Sequence, residues 1–425
     1  MDDNTKFNFS ILFIRDEINI NEIRTPLTPY DVKKLINLGC YKVYVESSQK
    51  RIYSDKDYEL NGAIIIKKKW YDCNFNNKIL IIGLKSIDSE YQYLNNHHHL
   101  YFSHTFKNQS DSKFILNEFK KHNSYIYDFE YFTEFKNNVT ENETLNETLN
   151  ETVTENETVN ESENETLNET VIENETVTEK RLLSFGFYAG IVGGFLGILQ
   201  LYHSFFNRQI KELKQWYCID DMLNEINYIN EDYSINKYKN LNIGIIGARG
   251  RCGLGVCYIL NKLGISYTII DRHFDKSKFV DFDIFYNCIL LDKNFNGVFF
   301  DKNTCFYKKI CIIDISCDTK AFNNPIQLYK EFNDKNNNIN YNNINYKNNN
   351  IKECTWTNPV LYYGEYCSVI AISNLPSLLP KDSSDYFSKK CCDLLLGLKN
   401  NNTLIKESWN RAFLYFQKAL NNLDI

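Results

Sequence analysis

Residues 242–271, NIGIIGARGRCGLGVCYILNKLGISYTIID, read as a strand, a glycine turn, a helix and a second strand that closes on an acid. Ile243, Ile245 and Ile246 make a short apolar run into Gly247. Gly247, Gly250 and Gly253 let the backbone turn tightly and approach a pyrophosphate at the N-terminus of the following helix. Asp271 stands 24 residues after Gly247, about where a ribose hydroxyl has to be met, and a carboxylate there repels the extra phosphate of NADP. The unit therefore predicts a domain that binds NAD, and Arg272 beside the acid is the one feature that keeps NADP open.

Outward from this unit the pattern is alternating α/β. Residues 9–14 read as a strand, 29–38 as a helix, 42–46 as a strand, and 79–83 as a strand running into Gly-Leu-Lys. Beyond the glycine unit, 283–291 and 309–316 are apolar runs that end in polar residues, as parallel strands do when their C-terminal ends face a ligand cleft. Residues 408–420 read as a final amphipathic helix. A chain of 425 residues has room for two such domains.

The net charge of −6 is unevenly placed. Residues 137–179 hold thirteen Glu and no Lys, Arg or Asp, so the rest of the chain carries +7. That excess suits anionic small-molecule substrates and is too small and dispersed to predict nucleic-acid binding. The same window is a degenerate Asn-Glu-Thr repeat, too poor in apolar residues to order itself, and reads as a disordered surface insertion. Residues 333–350, NDKNNNINYNNINYKNNN, read as an asparagine-rich loop.

Thirteen cysteines show no CxxC pair and no histidine at ligand spacing, so no metal is expected, and the start of the chain is unlike a secretory signal. A cytoplasmic protein with reduced cysteines follows. His97, His98 and His99 cannot all point one way on a strand or helix and read as a polar loop rather than a metal cluster. Residues 182–207 contain no formally charged side chain and are long enough to cross a bilayer. Glycines at 186, 190, 193, 194 and 197 favour the other reading, a buried interdomain helix packed closely on neighbouring backbone, and so no membrane association.

Several separated motifs occur in one order: EIRTPLTP at 22–29, GLK at 83–85, FSHTFKNQ at 102–109, YDFE at 127–130, RLLSFGFYAG at 181–190, GARGRCG at 247–253 and NLPSLLP at 374–380. In these the chain resembles the NAD-dependent, lysine-forming saccharopine dehydrogenases, and more loosely alanine dehydrogenase and transhydrogenase. The resemblance implies two Rossmann-like domains with parallel sheets and an active site in the cleft between them. Residues 1–184 and 373–425 would form a discontinuous substrate domain interrupted by the repeat, and 185–372 the nucleotide domain. It also implies the reversible conversion of saccharopine, NAD and water into lysine, 2-oxoglutarate and NADH by a monomer whose partners are those small molecules.

That chemistry needs two acid/base groups, because a secondary amine must lose its proton and a carbinolamine must collapse. Lys85 and His104 match the family pair. Arg24 and Arg181 would grip substrate carboxylates, with Gln109, Phe185, Lys107 and Glu130 beside them. Lys180, Gly247, Gly250, Arg251, Gly253, Asp271, Ile315, Ser316, Ser373 and Leu375 fall on cofactor positions, and Cys252 and Cys288 match two family cysteines near enough to pair. Ser86 replaces a family Glu, Asn19 a Lys, and Ser373 the Asp of an I-D-H-L-P turn. These departures leave room for a relative acting on another amino or keto acid, or for a non-catalytic NAD-binding scaffold. The loss of an acid beside Lys85 removes a group that would hold the lysine protonated.

Overall fold

A computed structural model describes residues 7–75, 78–107, 111–136, 178–206, 208–230, 241–291, 295–317, 319, 323–328 and 353–423. The asparagine-rich 333–350 loop and the repeat up to residue 177 lie outside them.

Two six-stranded sheets carry the structure. The first is formed by β1 (Ile11–Ile14), β2 (Lys42–Glu46), β3 (Ile64–Ile66), β4 (Ile79–Ile82), β5 (His98–Tyr101) and β6 (Tyr125–Asp128). All its pairings are parallel, in the order β3-β2-β1-β4-β5-β6. The chain moves one way from β1 and the other way from β4, so a switch point opens between these two strands, and both are buried along their whole length. Helix α1 (Pro29–Asn37) starts on Thr28, whose side chain accepts from the Asp31 amide, with proline at its first position. The short helices α2 (Asp55–Leu60) and α3 (Ser112–Lys121) follow in the same half of the chain.

An antiparallel pair, β7 (Thr133–Lys136) and β8 (Thr178–Arg181), brackets the repeat, with Lys136 opposite Thr178. The last two residues of the stretch expected to be disordered, Thr178 and Glu179, are thus in a strand. The ladder continues from Lys136 back to Thr133, opposite Arg181, and orders them.

Helix α4 (Gly186–Phe205) is the apolar segment, and 15 of its residues are buried. Among the described residues no helix is long and apolar enough to cross a membrane. Its glycines serve contact: a Cβ at Gly190 would overlap the Cys252 carbonyl, and one at Gly255 would overlap the Phe187 carbonyl. The helix thereby rests backbone to backbone on α6 (Arg251–Lys262), the helix of the glycine unit, while α5 (Ile219–Asn230) lies between them in sequence. The second sheet is β10-β9-β11-β12-β14-β13, built from β9 (Ile243–Ile246), β10 (Thr268–Ile270), β11 (Ile284–Asn287), β12 (Ile310–Asp314), β13 (Leu361–Tyr363) and β14 (Cys367–Ile370). Only β13 runs antiparallel, and the switch point lies between β9 and β11. Helices α7 (Pro380–Lys399) and α8 (Thr403–Asn421) return to the first sheet, where Phe387, Leu395, Trp409 and Phe413 join its core.

The histidine triplet corrects the loop reading. His98 and His99 belong to β5 and are buried, His98 stacked 4.6 Å from Tyr125 and 3.1 Å from the Tyr127 hydroxyl, His99 edge-on to Trp70 at 4.9 Å. Aromatic neighbours on both faces accept imidazoles as flat core groups, which the polar composition of the triplet concealed. Among the described residues no cluster could hold a metal. Burial holds His97 down to about 4, and burial with Lys78 and His97 holds His98 down to about 3. The native state therefore binds fewer protons than the unfolded chain, whose histidines titrate near 6.5. The stability is complete above that value and is lost as pH falls from it toward about 3. Between pH 7 and 5 His98 alone should cost about 2 kcal/mol. His98→Phe should flatten the acid limb of a melting-temperature profile, and an unchanged limb would refute the assignment.

Candidate active site

The chemistry-bearing residues sit just beyond the C-terminal ends of strands. After β1 come Arg15 and Glu17, after β4 Gly83 and Lys85, after β5 His104, and after β6 Glu130, with Asp128 ending β6 itself. Across from them, Gly247 follows β9, Asp271 follows β10, Asn287 ends β11, Asp314 ends β12, and Ser373 with Asn374 follows β14. In parallel sheets this edge is where ligands are bound.

Lys85 is held from below. Its amide and that of Leu84 donate to the Glu17 carboxylate at 3.1 and 2.6 Å, Arg15 pairs with Glu17 at 3.2 Å, and the Arg15 guanidinium also donates to the Lys85 carbonyl. Residue 83 is glycine because a Cβ there would run into that guanidinium. At its free end, Lys85 Nζ donates to Asn374 Oδ1 at 3.1 Å and stands 4.0 Å from Glu22. Burial and the neighbouring Arg24 push the Lys85 amine down from its ordinary value, against Glu22 and Glu17, which pull it up. Ser86 turns to Tyr91, its hydroxyl 2.8 Å from the phenol.

Arg24 is buried in a bidentate pair with Glu22, at 2.8 and 2.6 Å, donates to Asn374 Oδ1 at 3.2 Å, and lies 4.1 Å over the Phe185 ring. Burial alone would raise Glu22, but Arg24 and Lys85 outweigh it and hold the acid at about 2. One amide oxygen, Asn374 Oδ1, therefore accepts hydrogen bonds from both Lys85 and Arg24 and ties the two sheet edges together.

His104 has a φ of 55°, a conformation costly for a residue with a Cβ and common where function fixes the backbone. Its amide is held by Asp128 Oδ2 at 3.0 Å, which also takes the Ser103 amide and hydroxyl at 3.1 and 2.7 Å. The ring Nδ1 is 3.7 Å from Glu130, and Arg181 donates to the other Glu130 oxygen at 3.3 Å. The His104 and Arg181 side chains are 41% and 39% exposed, open enough to meet a substrate. Gln109 and the Lys107 side chain lie outside the described residues, though the Lys107 backbone closes a 3-10 turn, Thr105–Lys107.

On the nucleotide side, Gly247 has a φ of 78° and packs where a Cβ would lie 2.8 Å from the Cys288 backbone. A Cβ at Gly253 would collide with Gly247 and Ala248, whereas one at Gly250 would meet nothing nearer than 3.4 Å. Gly250 caps α6 and leaves an open cradle at its N-terminus, as a pyrophosphate requires. Asp271 is exposed, with one oxygen taking the His273 amide at 2.8 Å. Ile315 packs against Gly193, where a Cβ would come within 2.6 Å. Ser316 donates to Asp314 at 2.7 Å and accepts from Asn287 at 3.0 Å. Ser373 is exposed, Leu375 buried, and Lys180 half-buried in β8. Arg251 turns toward the hinge, the segment that leads from β8 into α4, donating to Ser184 Oγ at 2.6 Å and to the Arg181 carbonyl. All thirteen cysteines are free, Cys252 and Cys288 included, and burial pushes the Cys252 thiol up to about 11.

Glu17, Glu22, Asp128, Asn287, Asp314 and Asn374 were not singled out from the sequence. Glu22 and Asp128 lie inside quoted motifs, so a question about which acid would neutralise each motif's cation could have found the first. Asn374 opens the quoted motif at 374–380, but its role could not be read there, because it depends on how the two halves of the chain meet.

Residues 13–141 match the family model for the N-terminal domain of alanine dehydrogenase/PNT. The chain is 28% identical over 442 residues to the NAD(+)-dependent, L-lysine-forming saccharopine dehydrogenase of Candida albicans, covering 97% of this chain and 98% of that protein. It is 29% identical over 431 residues to the enzyme of the same name from Candida glabrata, covering 96% of each. A segment of 116 residues is 33% identical to the mitochondrial alpha-aminoadipic semialdehyde synthase of Bos taurus, 27% of this chain and 12% of that one. Among solved structures, an L-alanine dehydrogenase aligns with a TM-score of 0.61 at 13% identity, covering 97% of this chain and 99% of that one. The transhydrogenase from Sinorhizobium meliloti aligns at 0.55 and 12%, covering 93% and 95%. These two establish the two-domain dinucleotide-binding fold.

Proposed function

We propose that this chain, related along nearly its whole length to the lysine-forming saccharopine dehydrogenases, is an NAD-dependent oxidoreductase of the same activity. It converts saccharopine, NAD and water into lysine, 2-oxoglutarate and NADH, reversibly. The observation that carries the site assignment is the junction at Asn374, where a lysine with a lowered affinity for protons and an ion-paired arginine from one sheet meet the other sheet's edge.

NAD, when bound, would supply the acceptor for the hydride that leaves the carbon next to the secondary amine. Gly247, Gly250 and Gly253 would hold its pyrophosphate at the α6 N-terminus, and Asp271 its ribose. Lys85 takes the proton from the secondary amine, which its burial and Arg24 favour by keeping it ready to be neutral. Asn374 Oδ1 fixes the direction of the amine, and Glu17 with Arg15 fixes its backbone. His104 moves protons at the oxygen of the carbinolamine, oriented by Asp128 through its amide. Arg181 receives a substrate carboxylate, while Arg24, already bound by Glu22, supplies positive charge to the pocket rather than an open fork. Phe185 lies under Arg24 and stacks on Phe387 at 4.5 Å, and the resemblance assigns Gln109 and Lys107 to the substrate as well. The Ser86 hydroxyl is engaged by Tyr91 and Ser373 is exposed, while Lys85 and Arg24 keep their contacts with Asn374. We place the reaction in a reducing compartment, the cytoplasm, with which thirteen unpaired thiols agree, and assign it to a monomer.

The test is NADH absorbance with lysine and 2-oxoglutarate supplied together and singly. Oxidation that requires both is expected. Oxidation with pyruvate and ammonium instead would transfer the chain to alanine-dehydrogenase-type chemistry, and silence in all mixtures with NADH still binding would reject catalysis.

A further inference from the structure

Resting on that reading, we infer that Arg251 is a positioning residue that links the pyrophosphate-binding helix to the substrate-binding side of the cleft. Arg251 is the first residue of α6, immediately after the open cradle at Gly250. Its side chain leaves the cradle for the hinge, where one guanidinium nitrogen donates to Ser184 Oγ at 2.6 Å and another to the carbonyl of Arg181. Arg181 in turn donates to Glu130 Oε1 at 3.3 Å, and the other Glu130 oxygen stands 3.7 Å from His104 Nδ1. A chain of contacts thus runs from the helix terminus that receives the cofactor, through the Arg181 backbone and then its side chain, to Glu130 and the histidine that meets the substrate.

The geometry selects arginine at 251. Two nitrogens of one rigid fork reach two acceptors three residues apart on the segment joining β8 to α4, and a lysine could reach one of them. The fork holds the Arg181 carbonyl, the ladder opposite Thr133 holds the same residue from β7, and the Arg181 side chain leaves this fixed backbone for Glu130. The interlock of α4 with α6 at Gly190 and Gly255 makes the two ends of this bridge parts of one rigid unit, so displacement of the helix N-terminus is transmitted rather than absorbed. Arg251 therefore acts on substrate through Arg181, in addition to lying beside the cofactor.

Arg251→Lys in the full chain separates the two roles, because it keeps the positive charge at the helix terminus and loses the fork. We expect NADH affinity, read by fluorescence titration, to change by less than about threefold, while KM for saccharopine rises about tenfold. In an Arg181→Gln background the same substitution should change KM for saccharopine by less than about twofold, since the residue it positions is gone. A rise confined to the NADH dissociation constant, or full additivity of the two substitutions, would overturn the inference. Wild-type protein inactive on saccharopine would instead reject the functional reading. In that case the link is judged by the fluorescence of Arg251→Lys and Arg181→Gln titrated with saccharopine: equal weakening supports it and unaltered binding by Arg251→Lys refutes it.

Discussion

Lys85→Met is expected to lower kcat by a factor of about 10² to 10⁴ while NADH affinity stays within about twofold, because a general base contributes rate enhancements of that size and Lys85 lies on the sheet opposite the cofactor cradle. Methionine keeps an unbranched stem as far as Cε and removes the amine that now donates to Asn374 Oδ1. The change also removes a positive charge 4.0 Å from Glu22, but Arg24 remains bidentate on that acid, so no carboxylate is left alone. Stability should therefore change little, and the loss should appear in turnover. The lowered proton affinity of Lys85 adds a directional expectation: the amine becomes neutral at a pH below that of an ordinary lysine, and kcat for saccharopine oxidation should reach its alkaline plateau correspondingly early. Asn374→Asp would place a negative charge on the Lys85 amine, stabilise its protonated form and move that plateau to higher pH. Steady-state NADH formation across pH, beside a fluorescence titration with NADH, measures both. A Lys85→Met variant with more than a tenth of wild-type kcat would remove Lys85 from the role of base.

The glycine unit could be read because its constraints are local: a positive φ at Gly247, a closed contact at Gly253 and an open cradle at Gly250 each follow from residues within one strand and one turn. Lys85 and His104 were legible through the resemblance, because both stand inside short quoted motifs, and Lys85 also follows an apolar strand directly. Residues 408–420 announced a helix by periodicity, yet α8 begins at Thr403, where Asn402 caps it through the Ile405 amide. Strand β5 escaped notice because His98 and His99 are polar letters in an aromatic core, and their burial is decided by Trp70, Tyr125 and Phe119 from other elements. Arg24 was expected to face substrate, and the structure engages its Nε and Nη2 with Glu22 two residues earlier. Arg251 was expected at the cofactor, and its fork goes to the hinge. For β5 and Arg251 the missing information was which partner comes from elsewhere in the chain, which periodicity and motif spacing do not carry; for Arg24 the partner was local, and what was missing was that the acid beside it would take the fork.

Gly190→Ala is expected to destabilise the protein by about 3 kcal/mol, at the upper end of the usual cost of overpacking, because its added methyl group meets backbone that cannot rotate away. The position would bring a Cβ into the Cys252 carbonyl, 2.8 Å from its carbon and 2.9 Å from Gly255 Cα. Helix α4 cannot simply retreat. Its Gly194 carbonyl receives the Tyr286 hydroxyl at 2.7 Å, and a Cβ at Gly193 would already stand 2.6 Å from Ile315, so its other side is fixed on β11 and on the residue after β12. The strain must then pass to α6, whose first turn contains Cys252 and begins at the pyrophosphate cradle. Weakened NADH binding should accompany a melting temperature lower by roughly 6–12 °C, the shift expected for such a cost in a domain of this size. Gly186→Ala is the control, since its nearest neighbours would be side-chain atoms at 3.4 Å and alanine is the better helix former, so it should melt within a degree or two of wild type or slightly higher. Coincident melting of the two variants would mean that the α4 and α6 backbones are not in the contact that makes glycine necessary at 190.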